Sequence, residues 1–253
     1  MCKQLMAVAI WYPMYSSPIV DQQKLVLVQD SPVEYSRRVV IMTDDSDEEF
    51  WDERYRAQDQ LFSGNPNPRL VSQAKKVEPG TALDVGCGEG ADAIWLAKQG
   101  WDVTAVDIST VALERGASRA SEIGADVANR IDWIHEDLRT WEGPEPQSYD
   151  LVSSQFTPFP VESRQSMFRR LADAVAPGGT LLIVSHHQSD IQTTIPRNSN
   201  KEMYFTASDV AESLDSEDWG IIIEGKLERS ATDPDGNEVT IHDTVFNARR
   251  RER

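Results

Sequence analysis

The sequence predicts an α/β fold in three layers, with helices covering both faces of a seven-stranded, mostly parallel sheet that ends in an antiparallel hairpin. Three observations predict it. Short apolar strand-like runs alternate with helix-like segments, the pattern of parallel strands joined by crossover helices. The stretch LDVGCGEGA, residues 83–91, joins the first run to the first crossover helix through a glycine loop. Residues 219–249 read instead as two long strands, WGIIIEGKLERS and NEVTIHDTVFNAR, around the turn-forming DPDG.

Each element has its own signals. Ser46 and Glu49 form a capping box that opens a helix through DEEFWDERYRAQ. LFSGNPNP reads as a loop. Asn67 caps the next helix, with Pro68 at its first position and Pro79-Gly80 closing the segment. TALDV is a buried strand. ADAIWLAKQ is helical and Gly100 ends it. DVTAVD is the second strand. Ser109 caps the helix TVALERGASRASEI, which stops at Gly124. IDWIH and YDLVSSQF are the third and fourth strands. Phe168, Leu171, Ala172 and Val175 then share one helical face. Pro177-Gly178-Gly179 turns the chain into the fifth strand, TLLIVSH.

Bulk properties narrow the function. The chain has 253 residues and a net charge of −17. That balance argues against coating nucleic acid or anionic membrane, because such binding is largely electrostatic. Cys2 and Cys87 form no Cys-x-x-Cys pair, so a cytoplasmic location is expected. No apolar run reaches the roughly 20 residues of a membrane span. Residues 1–43 differ from the rest. LMAVAIWYPMY has the look of a short signal core, but Pro13 interrupts it and only Lys3 precedes it. Residues 1–43 are therefore expected to be a loosely attached or dispensable extension, and residues 44–253 the functional domain; the natural beginning is expected at Met42.

Gly86, Gly88 and Ala91 satisfy the dinucleotide fingerprint, and Asp107 ends the next strand where an acid would hold ribose hydroxyls. A nicotinamide-dependent oxidoreductase is one reading. Four features favour another: Asp84 inside the strand end, Gly90 extending the loop to G-x-G-x-G, a second acid at Asp137, and the terminal hairpin.

LDVGCGEG, VDIS, HEDL, YDLVSSQF and APGGTLLIV, in this order and spacing, resemble the successive motifs of class I S-adenosylmethionine-dependent methyltransferases. The resemblance spans roughly residues 47–249. FWDERY and SHHQSD make the chain similar to the small bacterial tellurite-resistance and thiopurine types. The resemblance implies a Rossmann-like sandwich, S-adenosyl-L-methionine as cofactor, a small-molecule methyl acceptor, and a monomer or homodimer. A cofactor-binding sensor without catalysis is the alternative.

The resemblance also assigns residues. Gly86 and Gly88 bring backbone to the methionine and ribose parts, and Asp84 meets the ammonium. Asp107 accepts from the ribose diol, and Ile108 packs on adenine. Asp137 and the Leu138 amide read the adenine edge. Gln155 and Phe156 sit beside the reactive methyl. The first helix folds over the cofactor, with Trp51 and Tyr55 on one face and Arg54, Phe62 and the Asn65–Asn67 loop nearby. His186 and His187, after the fifth strand, face the same crevice, and one of them is expected to bind substrate or take its proton. Cys87 reads as a small loop residue rather than a nucleophile. Pro158 stands where many relatives carry histidine, so no catalytic base is assigned. His135 and His242 are far apart in sequence, and no metal site is expected.

Overall fold

A computed structural model describes residues 48–197 and 200–252. Ser46, Met42 and the extension at residues 1–43 lie outside the described residues. The chain runs α1 (Glu48–Arg56), α2 (Pro68–Ala74), β1 (Thr81–Val85), α3 (Ala91–Lys98), β2 (Asp102–Asp107), α4 (Thr110–Ile123), α5 (Ala125–Ala128), β3 (Ile131–His135), β4 (Tyr149–Gln155), α6 (Val161–Ala174), β5 (Val175–His186), α7 (Ala207–Ala211), β6 (Trp219–Thr232) and β7 (Glu238–Arg250). Two short 3₁₀ turns lie between β5 and α7.

The seven strands form one sheet in the order β3-β2-β1-β4-β5-β7-β6. The first five are mutually parallel, and β7 enters antiparallel between β5 and β6. This order departs from the dinucleotide fold, whose sheet continues with a second set of parallel crossovers. Strand β1 lies between β2 and β4, so the chain switches direction across the sheet at its glycine loop.

Two apolar layers hold the sheet. One packs Phe159, Phe168, Leu171 and Phe205 against Leu83, Val152, Leu181 and Phe246. The other packs Leu70, Ile94, Leu96 and Trp101 against Ala82, Ala105, Leu151 and Val245. The central strands are buried on both faces, which accounts for their continuous apolar runs.

The caps fall where side-chain chemistry requires. The Asn67 side chain accepts from the Arg69 N–H, and Ser109 Oγ accepts from the Ala112 N–H. The fifth strand differs from expectation. It starts at Val175, pairs there with Tyr149, and shifts register before Thr180 meets Leu151. The Pro-Gly-Gly turn thus lies within an irregular strand, with Gly178 at φ +79°. Among the described residues no helix is long and apolar enough to cross a membrane.

Phe168 is fully buried and meets the rings of Phe159 and Phe205 at centroid distances of 5.6 and 5.1 Å. Phe168→Ala is expected to cost about 3–5 kcal/mol of unfolding free energy, read from the denaturant midpoint at unchanged slope.

Candidate functional site

A cavity of ≈ 860 Å³ opens along the carboxyl ends of the parallel strands. Open α/β sheets bind ligands at this edge, because the strands end there and their connecting loops diverge. The glycine loop forms its floor, α1 one wall, and the hairpin β6–β7 the opposite wall.

Asp107 ends β2 and is 8% exposed. Its Oδ2 accepts from the Gly88 N–H at 2.8 Å and its Oδ1 from the Ser109 N–H at 2.9 Å. One carboxylate therefore fixes both the glycine loop and the start of α4. Burial raises its pKa, against the hydrogen bonds from Ser109, Gly88 and Ile108.

Asp84, the penultimate residue of β1, is 2% exposed and has no partner for its Oδ2 among the described residues. Burial, then the neighbouring charges of Asp92 and Asp107, push its pKa well above the carboxylate range. Asp92, in the first turn of α3, is pushed up to about 6 by burial, while its Oδ1 accepts from the Asn67 N–H at 2.6 Å. Three buried acids line one cavity floor, and the charges of Asp92 and Asp107 both disfavour ionisation of Asp84, so a cationic ligand suits it.

A Cβ on Gly86 would lie 2.2 Å from Thr157 Oγ1, and one on Gly88 would lie 2.8 Å from the Tyr55 hydroxyl. Both have positive φ and line the cavity, and the position a Cβ would take on each is filled by this chain's own side chains. Thr157 fixes that geometry by donating to the Val85 carbonyl at 2.9 Å.

Helix α1 is anchored through Asp52, which is 5% exposed. Ser109 Oγ donates to its Oδ1 at 2.6 Å, and Thr110 Oγ1, the Val111 N–H and Arg56 add contacts. Burial opposes ionisation of Asp52, and these donors overcome it, so its pKa falls. Thus docked at the start of α4, the helix presents Trp51 and Tyr55 to the cavity. Tyr55 is 2% exposed, and burial followed by Asp107 keeps its phenol protonated. Arg54 lies 5.0 Å over the Trp51 ring. Phe62, Asn65 and Asn67 continue the wall.

The remaining expected residues divide. Ile108, Asp137, Leu138, Gln155, Phe156 and His186 line the cavity. Asp137 is gripped by Arg139, whose Nη2 lies at 2.7 Å, so its carboxylate also closes a local turn. Phe156 sits at φ +58°, a strained conformation for a bulky residue, and its ring meets His186 at 4.4 Å. His186 Nδ1 is buried without a partner among the described residues. Burial, with Arg197 and Arg229, pushes its pKa down to about 3, so the ring is neutral. His187 corrects an expectation: it does not line the cavity. Strand geometry sends successive side chains to opposite sides, and His187 caps the following turn, its Nδ1 accepting from the Ser189 N–H at 3.1 Å. Burial, then the charges of Asp107 and Asp84, push the Cys87 thiol well up, which disfavours the nucleophilic thiolate. His135 bonds to the Ile108 carbonyl and His242 to Asp190, on different elements.

Several participants escaped the sequence reading. Asp92, Thr157, Arg69, Arg197, Arg229 and Asp243 all line the cavity. Only Asp92, two residues after Gly90, carried a local signal.

Residues 82–179 match the family model described as a methyltransferase domain. An uncharacterized methyltransferase of Mycobacterium bovis is 38% identical over 103 residues, covering 41% of this chain and 49% of that protein. A ubiquinone biosynthesis O-methyltransferase of Serratia proteamaculans is 33% identical over 110 residues, covering 44% of each chain. The chain thus spans about half the length of the curated relatives it matches. The crystal structure of TehB from Haemophilus influenzae shares the fold, with TM-score 0.57 and 22% identity over 81% of this chain and 67% of that one.

The Asp92 carboxyl binds more protons folded than unfolded between pH 3.8 and about 6, so its ionisation costs stability above that window. Asp92→Asn is therefore expected to raise Tm by about 2–4 °C at pH 8. The gain should vanish near pH 4 in thermal melts.

Proposed function

We propose, from a methyltransferase domain at residues 82–179, that this chain transfers a methyl group from S-adenosyl-L-methionine to a small-molecule acceptor. The observation that carries this reading is the acid-floored cavity at the glycine loop, with the Asp84 oxygen left unpartnered. A cofactor with an ammonium and a sulfonium suits that floor, and its ribose diol suits a carboxylate with two oxygens in one plane. The methyltransferase relatives support the same reading.

In this reading Asp84 holds the ammonium, and Asp107 holds the diol while bracing the loop with its remaining lone pairs. Ile108 packs on the adenine face, and Asp137 with the Leu138 amide reads its edge. Gly86 and Gly88 form the floor beneath the methionine and ribose parts. Tyr55 and Trp51 close the roof. Gln155 and Phe156, at the end of β4, border the reactive methyl. The bound cofactor supplies a methyl on a sulfonium, open to direct in-line displacement by a lone pair on nitrogen, oxygen, sulfur or a chalcogen. The protein's contribution is alignment and water exclusion, worth roughly 7–11 kcal/mol in favourable cases. His186 is neutral and lines this cavity, with its Nδ1 buried and without a partner among the described residues. Because burial and two guanidiniums disfavour its imidazolium, it serves in this reading as a hydrogen-bonding neighbour of the acceptor rather than as its base, and no catalytic base is assigned.

Calorimetry should show saturable binding of S-adenosylmethionine and its demethylated product, and no binding of NAD. Asp107→Ala should weaken the former by at least about tenfold, the loss expected for a charge-assisted hydrogen-bond pair. Labelled methyl should then appear on a member of a panel of thiols, amines and chalcogen oxyanions. Tight binding with every panel member unlabelled would instead favour a sensor without catalysis, and NAD binding alone would end the methyltransferase reading.

A further inference from the structure

The cavity is chemically two-ended. Its floor at β1 and β2 is acidic, while its far wall, at β6–β7 with Pro196, Arg197, Met203 and Tyr204, carries arginines. Arg69, Arg197 and Arg229 all line it. In a chain of net charge −17, three guanidiniums on one wall stand out from the background.

The neutralisation of this wall is incomplete. Asp243 is 1% exposed and takes the Arg229 Nε at 2.9 and 3.0 Å through its two oxygens. The Arg69 Nε lies 3.8 Å from the same carboxylate. One acid therefore serves two cations. Glu228 also borders the cavity, but its side chain is 75% exposed and its carboxylate lies 3.8 Å from His242 Nε2. Asp190 is committed to the His242 N–H and ring, at 2.5 and 2.8 Å. Among the described residues Arg197 has no carboxylate within ion-pair distance, its Nη1 donates to the Pro196 carbonyl, and its Nε is buried without a partner. Burial and the neighbouring Arg229 charge disfavour its charged form, and Asp190, Tyr204 and Asp243 offset this only in part. A buried guanidinium without a directly paired carboxylate among the described residues suits an anionic ligand.

The geometry around it says what else that anion carries. The Arg229 guanidinium lies 5.7 Å over the Phe156 ring, and Phe156 meets His186 at 4.4 Å. Pro158, Pro160 and Met203 continue an apolar wall. Phe156 thus borders both the arginines and the end of β4.

We propose that Arg197 and Arg229 form an anion-binding subsite at the acceptor end of this cavity, so that the methyl acceptor is a small acid with an apolar or aromatic body. This assignment rests on the methyltransferase reading. The acid is anchored by Arg197, as a carboxylate or a phosphate, and its reacting heteroatom lies toward Phe156 and His186. Arg229 keeps its bond to Asp243 and adds positive field. The wall gives little hold to a cationic or neutral acceptor, because it would leave the Arg197 guanidinium buried and unpaired.

The test titrates the full chain, saturated with S-adenosylhomocysteine, with benzoate, benzamide and inorganic phosphate at fixed ionic strength. Benzoate should bind at least about tenfold more tightly than its neutral isostere, the factor expected of charge-assisted pairing. Arg197→Gln should abolish that preference while leaving S-adenosylhomocysteine affinity unchanged. Phosphate binding more tightly than benzoate would identify a phosphorylated acceptor. The proposal is overturned if no anion binds measurably, if benzoate and benzamide bind alike, or if Arg197→Gln keeps the preference. Failure of S-adenosylhomocysteine to bind would sink the methyltransferase reading instead, and the same three titrations on the unloaded chain would still decide the anion subsite.

Discussion

The Asp107 carboxylate is the joint on which the site depends. Its two oxygens accept backbone N–H groups from two different loops, at Gly88 and Ser109. Strands β1 and β2 are parallel neighbours, so their following loops emerge side by side. Without a shared acceptor, both would leave buried donors unsatisfied at the sheet edge. The same acid that suits a ribose therefore already determines where the glycine loop sits.

From this joint the structure builds outward. Ser109, one of the two tied residues, also caps α4 and donates to Asp52 of α1. The roof helix is thus registered to the floor through a chain of three polar side chains, Asp107's neighbour Ser109 being the middle one. Tyr55, on that helix, closes over Gly88. Floor and roof are parts of one hydrogen-bonded unit.

The polarity of the cavity follows from which strands end where. β1 and β2 deliver Asp84 and Asp107 to one end, and the antiparallel hairpin delivers Arg229 and Asp243 to the other. A sheet continued by further parallel crossovers would have placed a strand's carboxyl end there. The reversal of β7 instead lays the flank of a long hairpin beside the mouth.

The chain's local chemistry was enough to determine much of this. Ser109 and Asn67 cap helices because their side chains reach orphan amides within a few residues, and Gly100 ends its helix in a conformation glycine adopts freely. Alternating strands and helices, the glycine loop and the terminal hairpin were legible for the same reason: each is a short-range preference. So were the acids at 84, 107 and 137, which sit at strand ends. Only tertiary structure decided that Thr157 and Tyr55 fill the Cβ positions of Gly86 and Gly88, that His186 faces the cavity while His187 turns to cap a 3₁₀ turn, and that Arg197 and Arg229 line the same cavity. Those contacts join residues tens of positions apart, and their geometry depends on strand register and on which side of a strand end each side chain leaves, quantities that no local pattern encodes.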